Sequence, residues 1–556
     1  MQCHYAINLV CRGEFPYNLG VETEQLPIEP TPPPEGKAQT QIARAAGIVM
    51  AGFVLSNLAG LARQVLISDI FGTKGIIDAY YAAMGVPDMI FALIAGGALA
   101  SAFIPTLTEF LTRDDQEGGW RLTSAIANLL ILLMAVVGAV VFAFALPIVR
   151  IFIAPEAPPE QQQLTAEMLR ILLISPVLLG LSGLVTGVLQ ANQSFVLPSL
   201  SSTLYWLGVI FGLIFFVPSM GIFGLAWGTV LGAGLHLLVQ LPGLRRLPKL
   251  RYSFGLGLKD PAVRKVGRLM LPRLFGAAVV QLNFLVSINM TSGMPAGSLT
   301  AFKNAYMVMT MPQVVIAQAI AIAAFPTFSA QFAKGQRDDL RESLASTIRS
   351  IIFLSLPAAV GLILLRVPVV SMLFQRGEFD ERSVALTAWA LLWFTLGLVS
   401  HSVLEIIVRA FYAMQDTRTP VVVGVVAMGL NVVFSLTFPL WFSNMGWMPH
   451  GGLAFANTAA TTLEVSVLLW IMRRRLNGLD GRRVLMGVLN SVLAVGAMAA
   501  VLLWWIQFSQ AFSGWWVVLG GIALGGLVYT LLLMVQRVEE IFGLVRRLVG
   551  RTRRRS

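Results

Sequence analysis

The sequence predicts an all-α polytopic membrane protein of fourteen transmembrane helices, built as two parallel six-helix repeats plus two C-terminal helices. Three observations carry this expectation. The 556-residue chain is 56% hydrophobic and only 12% charged, about half the 25% charge of an average soluble protein. Apolar runs of about 20 residues, the span of a bilayer core, recur along the whole length. Three short motifs also recur, in the same order and at nearly one offset.

The helical segments fall near 44–70, 76–110, 122–152, 163–190, 196–217, 222–244, 266–290, 299–332, 342–365, 384–413, 419–441, 451–473, 484–507 and 514–536. Several exceed 25 residues, which implies tilt or extension beyond the hydrocarbon. Pro87 and Pro312 lie inside long segments, where each removes a backbone hydrogen bond and favours a kink.

The repeat shows in three places. AFIPTLTEF at 102–110 resembles AAFPTFSAQF at 323–332, matching Pro105 to Pro326 at an offset of 221. ANQSFVLP at 191–198 resembles AMQDTRTP at 413–420, with offset 222, and GLAWGT at Gly224 resembles GLAFANT at Gly452, with offset 228. Each match falls at the same place in a six-helix block. Six is even, so the halves share one orientation about an axis along the membrane normal. The domains expected are a polar tail (1–40), a first lobe (44–245), a basic linker (246–265), a second lobe (266–475), two further helices (484–536) and a basic tail (537–556).

Loop charge sets the expected orientation. With the N-terminus inside, 29 of the 40 Lys and Arg residues fall on inside segments and 4 (Lys74, Arg150, Arg376, Arg382) on outside ones. This is the positive-inside pattern, and it places both termini in the cytoplasm. It also accounts for the net charge of +12 as membrane orientation, without nucleic acid as a partner. The stretch AFYAMQDTRTP at 410–420 then becomes a cytoplasmic turn. Asp416 or Thr417 can cap the following helix through a side-chain oxygen, and Pro420 suits its first turn.

No enzyme site is legible. The chain carries no P-loop, no H-E-x-x-H and no carboxylate pair at useful spacing. Cys3 and Cys11 read as incidental thiols in the tail. The four histidines, His4, His236, His401 and His450, share no metal-ligand spacing. No cofactor and no metal are expected. Chemistry falls instead on ionisable residues at membrane depth, which are costly there and so are functional candidates: Arg63, Asp78, Asp88, Arg273, Lys303, Glu405 and Arg409. Glu405 and Arg409 are four residues apart, on one helix face, and can pair. Two six-helix lobes facing each other suggest a transporter working by alternating access, with its site between them.

Several stretches resemble the MurJ (MviN) family of lipid II flippases, within the multidrug/oligosaccharidyl-lipid/polysaccharide exporter superfamily. They are GLARQVLISDIFG at 60–72, DAYYAAMGVPDMIFALIAGGALASAFIPTLTEF at 78–110, LFQRGEF at 373–379 and RAFYAMQDTRTP at 409–420. The resemblance covers about residues 44–540. It implies movement of an undecaprenyl-diphosphate-linked disaccharide-pentapeptide between bilayer leaflets in a bacterial inner membrane. A cationic cavity would take the headgroup, the last two helices would form a groove for the lipid tail, and membrane potential or monovalent ions would drive the cycle. Arg63 matches a family arginine; its planar fork suits a diphosphate, with Arg273 and Lys303 as further cations. Asp78 matches a family aspartate expected to gate the outer side through an ion pair, and Asp88 is the second residue expected in that gating role. The chain departs from the family pattern at Asn57, Phe91, Ala92, Gly96, Tyr306, Met307 and Thr310, where the family often carries charge. Three other readings stay open at this level: a flippase for another lipid-linked glycan, an ion-coupled drug exporter using Asp88 as a buried coupling acid, and a non-transporting scaffold.

Overall fold

A computed structural model describes residues 35–94, 97–248, 251–479, 481–509 and 514–536. Most of the expected polar tail, with Cys3, Cys11 and His4, lies outside the described residues, as do Gly96 and the basic segment 537–556. The chain forms two compact units, Met1–Gly47 and Ile48–Ser556. The described residues of the first are helical; the core, the cleft and the repeat all belong to the second.

No strand occurs among the described residues. The first set of helices is α1 (Glu35–Phe71), α2 (Gly75–Ile94), α3 (Gly97–Thr112), α4 (Gln116–Ala143), α5 (Pro159–Leu172), α6 (Ile174–Ala191), α7 (Val196–Phe211) and α8 (Ile222–Leu238). The long α9 (Pro261–Thr291) comes next. A second set comprises α10 (Ser298–Gln313), α11 (Ala319–Ala333), α12 (Arg337–Leu364), α13 (Arg366–Phe374), α14 (Glu381–Thr395), α15 (Leu398–Ala413), α16 (Arg418–Asn444) and α17 (Pro449–Arg475). The chain then continues with α18 (Gly481–Phe508) and α19 (Gly514–Val535).

Among the described residues, twelve spans are long and apolar enough to cross a membrane, or thirteen when α14 and α15, bent by 47°, count as one broken span. The remaining expected segment, 266–290, is helical within α9, and several of its side chains lie outside the described residues. The α14–α15 break is stabilised from outside. Thr458 of α17 donates its hydroxyl to the Trp393 carbonyl at 2.7 Å, serving an acceptor near the end of α14 that has lost regular helical geometry. Pro312 is followed at once by a π-helical turn, Val314–Gln318.

The repeat is visible in the backbone. Left-handed residues occur in pairs: Gly72 with Gly297, Asp114 with Gly335, Gln193 with Gln415, and Gly221 with Gly446. The two glutamine turns close alike. Ser194 N–H donates to Leu189 O at 2.8 Å, and Asp416 N–H donates to Phe411 O at 3.0 Å. The second turn adds charge. Asp416 Oδ1 accepts the amides of Arg418 and Thr419, both at 3.0 Å, and Oδ2 pairs with Arg475 Nη1 at 2.6 Å. These bonds and the Thr419 hydroxyl outweigh the partial burial that would raise this carboxyl, and hold it down at about 2.

Each helix set has its own apolar core. Ile67, Tyr80, Leu169 and Leu225 anchor the first; Phe328, Leu344, Ile406 and Leu468 anchor one centre of the second. In lipid, helices associate through close packing because the surrounding chains are equally apolar. The α7–α8 crossing meets that demand with glycine: a Cβ at Gly228 would stand 2.8 Å from Gly212 Cα. α9 packs against both α2–α3 and α16. α18 and α19 lie on α12, where Tyr529 donates to the Phe353 carbonyl at 2.7 Å.

Candidate functional site: a charged cleft between the helix sets

Arg63 projects from α1. Its Nη2 donates to Gln64 Oε1 at 2.8 Å, and its guanidinium lies 4.5 Å over the Trp206 ring of α7. The Nε is buried with no hydrogen-bond partner. The group is therefore oriented by an aromatic face and keeps donor capacity unused. Lys303, half-buried on α10, sits with its ammonium 5.0 Å from the Tyr81 ring centre. Asp88 of α2 has an exposed side chain, and it, Lys303 and Arg63 act on one another electrostatically. These three charges, scattered over 240 residues, line one cleft.

Neutral side chains tie its walls together. Gln64 Nε2 donates to both the Tyr81 hydroxyl and Asn304 Oδ1 at 2.6 Å, and Asn304 Nδ2 reaches Ser68 Oγ at 3.4 Å. Sequence alone singled out none of Gln64, Tyr81, Asn304 or Trp206. A search for charge at membrane depth passes over them; the available signal was that each is polar or aromatic, and that Gln64 and Asn304 adjoin a candidate cation.

One end of the cleft is shut. Asp78, buried on α2, accepts from the Gly297 amide at 2.6 Å, the Thr300 amide at 2.8 Å and the Thr300 hydroxyl at 2.6 Å. It caps the first turn of α10 from across the cleft, where the helix dipole and free amides favour an anion. Gly297, at φ +92°, has Thr73 so close that a side chain there has no room. Around this latch, Thr73 Oγ1 meets Ser383 Oγ at 2.8 Å, Glu378 N–H donates to Asp69 O at 2.8 Å, and Lys74 pairs with Glu378. All of these lie at the end whose loops are poor in basic residues. The expectation of an ion pair at Asp78 and Asp88 needs correcting: among the described residues, neither is in a contact ion pair. Asp78 is satisfied by amides and a hydroxyl, with Arg382 acting only at a distance.

The other candidates divide. Glu405 and Arg409 do pair, at 2.5 Å, with both side chains about a quarter exposed; Arg409 also donates to the Glu405 carbonyl at 2.9 Å. The Arg273 side chain lies outside the described residues. Asn57 turns back on its own helix, donating to Phe53 O at 2.8 Å. Phe91, Ala92, Tyr306, Met307 and Thr310 are all partly buried, so those positions bring no charge to the cleft. His401 meets Asn457 Oδ1 at 3.1 Å, and no group able to hold a metal occurs among the described residues.

Two helix sets repeated in parallel, a charged cleft between them and a latch across one end define a multi-pass membrane transporter. The chain belongs to the MurJ family: the family model described as "Lipid II flippase MurJ" matches residues 67–522. It is 29% identical over 435 residues to the lipid II flippase MurJ of Burkholderia cenocepacia, covering 77% of this chain and 83% of that one. It is 27% identical over 501 residues to the probable lipid II flippase MurJ of Vibrio cholerae, covering 88% and 94%. Among solved structures, a lipid II flippase MurJ in an inward closed conformation superposes with a TM-score of 0.75 at 22% identity, over 88% of this chain and 98% of that chain. An inward-facing multidrug resistance MATE family transporter of the MOP superfamily gives 0.63 at 18% identity, over 77% and 96%.

Proposed function

We propose that this protein is a lipid II flippase. It carries the undecaprenyl-diphosphate-linked peptidoglycan precursor from the inner to the outer leaflet by alternating access, for cell-wall synthesis. The observation that carries this reading is the pairing of Arg63 and Lys303 across a cleft latched at one end by Asp78. A diphosphate entering the open end meets the Arg63 guanidinium, oriented by the Trp206 ring, and the Lys303 ammonium, both charged donors suited to phosphate oxygens. Asp88, exposed beside them, serves as a counter-charge when the cleft is empty. That position suits an exchange partner for the substrate better than a sequestered coupling acid.

Both termini lie in the cytoplasm and the latched end faces outward, in line with the loop charge. The lobes are residues 44–245 and 266–475, and α18–α19 supply the groove for the lipid tail. Substrate enters the inward-open cleft, and the latch must release for delivery, driven by membrane potential or a monovalent ion gradient.

Expression in a bacterial strain depleted of its own lipid II flippase tests this. The wild-type chain should restore growth and shape, and Arg63→Ala should not, at equal membrane levels. Failure of a correctly inserted wild-type chain would remove the proposal.

A further inference from the structure

The connection between α8 and α9 does not loop freely. Trp120 Nε1 donates to Pro248 O at 3.1 Å. Ser253 N–H donates to Ser124 Oγ at 3.2 Å. Asn128 Nδ2 donates to Ser253 O at 3.0 Å and Gly255 O at 2.9 Å, and Tyr252 donates to Asn128 Oδ1. Residues 120, 124 and 128 are one turn apart on α4 and share a face, so the connection forms a strap running along that face.

The same face continues past Asn128 as Ile131, Leu132, Val136 and Val140, all exposed. These begin the run LLILLMAVVGAVVFAFALPI at 129–148, and exposed side chains there meet lipid. Asn128 is therefore the last polar residue before the hydrocarbon, and Leu132 stands about 6 Å beyond it at 1.5 Å per residue. The strap ends at this boundary. At that level it presents Phe254, 95% exposed, edge-on to Tyr252 at 5.0 Å. Leu256 and Leu258 are exposed next to it, and Arg251 and Lys259 flank the group.

We infer that residues 251–259 are a membrane-interface anchor: Phe254 and Tyr252 seat among the acyl chains beside α4, and Arg251 and Lys259 meet lipid phosphates. Aromatic rings prefer this depth, and an apolar cluster rimmed by cations is the composition that interfacial segments use. The occupant is the bilayer, because the surface is continuous with a lipid-facing stripe and carries the charge that complements phosphate.

The test uses the full chain with Cys3→Ala and Cys11→Ala, reconstituted in vesicles of phosphatidylcholine containing phosphatidylglycerol. An environment-sensitive dye is placed at Phe254→Cys, and separately at Asp338→Cys, a position 89% exposed in the first turn of α12 at the same end. A doxyl lipid labelled high on its acyl chain should quench the dye at 254 by about twofold or more, as expected at interfacial depth, and leave the dye at 338 unchanged. Aqueous iodide should do the reverse. Adding Asn128→Ala, which removes the amide that holds the strap, should reduce the lipid quenching at 254. Iodide quenching at 254 equal to that at 338 would mean that the face is open to water or to a soluble partner, and overturns the inference. Lipid quenching indifferent to Asn128→Ala would show that the dye alone finds the bilayer, and overturns it too.

Discussion

Asp78 and Thr300 stand on opposite walls of the cleft and share two hydrogen bonds on one oxygen. The Thr300 amide reaches Asp78 Oδ1 at 2.8 Å and its hydroxyl reaches the same atom at 2.6 Å. The other oxygen takes the Gly297 amide. A single carboxylate thus holds α2 to the start of α10. Bonds to a charged group contribute about 1.5–3 kcal/mol each, and no other described residue places as many on the seal.

Removing that carboxylate should open the seal. Asp78→Ala should shift the closed-to-open ratio by at least about tenfold, the equivalent of losing one such bond. Asp78→Asn, which keeps an acceptor oxygen, should shift it less. The readout is labelling by a membrane-impermeant maleimide of a cysteine at Ala82, which is buried and lines, with Asp78, a cavity of about 200 Å³ at that end. An unchanged labelling rate in Asp78→Ala would show that the neighbouring contacts close the gate without it.

Trp206 should matter to transport through Arg63. Trp206→Leu removes the ring that orients the guanidinium, a contact worth about 0.5–2 kcal/mol, and should lower flipping in reconstituted vesicles by roughly twofold to thirtyfold. Trp206→Phe should be milder. Arg63→Lys should retain part of the activity, because the charge stays but the fork is lost. Equal rates for wild type and Trp206→Leu would detach the indole from the site.

Glu405 and Arg409 behave as a structural pair. Glu405→Leu alone leaves a partly buried guanidinium without its counter-charge and should cost about 1–3 kcal/mol, between the exposed and buried limits. The double variant Glu405→Leu/Arg409→Leu should regain most of that stability in a thermal melt and keep transport. Loss of flipping in a stable double variant would move the pair into the transport machinery.

The turn at Asp416 makes a pH prediction. The folded carboxyl is held at about 2, below the value of about 3.9 for an unperturbed aspartate. A depressed carboxyl stabilises the fold above its unfolded value, and that contribution is lost as pH falls through the folded one. Stability from this turn is therefore flat above about pH 5 and declines only between about 4 and 2. Asp416→Asn should cost about 0.5–2 kcal/mol at neutral pH, as capping residues do, and the gap to wild type should narrow at pH 3. A gap that is constant from pH 7 to pH 3 would contradict the assignment.

The helical architecture was legible because hydropathy and loop charge report directly on what lipid and water each accept. The repeat was legible at Gln193 and Gln415 because a left-handed residue followed within five positions by proline leaves a mark in sequence. The site was legible only as charge. Arg63, Lys303 and Asp88 stand out in apolar surroundings, but nothing along the chain says that residue 63 and residue 303 face the same space. Asp78 stood out as a gate candidate, yet its partners are chiefly backbone amides, and an amide has no letter of its own. The π turn at Val314–Gln318 was invisible for a related reason: it is a property of the backbone, and no residue type marks it in the side-chain pattern.

The paired left-handed glycines, Gly72 and Gly297, set a spacing of 225 residues that also relates Tyr81 to Tyr306 and Pro87 to Pro312. By the same spacing, the partner of Asp78 is Lys303. The latch and the cleft cation are thus symmetry mates carrying opposite charge. An aspartate at 303 could have reached for the start of α2 as Asp78 reaches for the start of α10, and a lysine is repelled by that same positive helix end. The equivalence of the halves is broken at this pair, so the clasp can be made in one sense only, and the molecule has a polarity that its folded outline does not reveal.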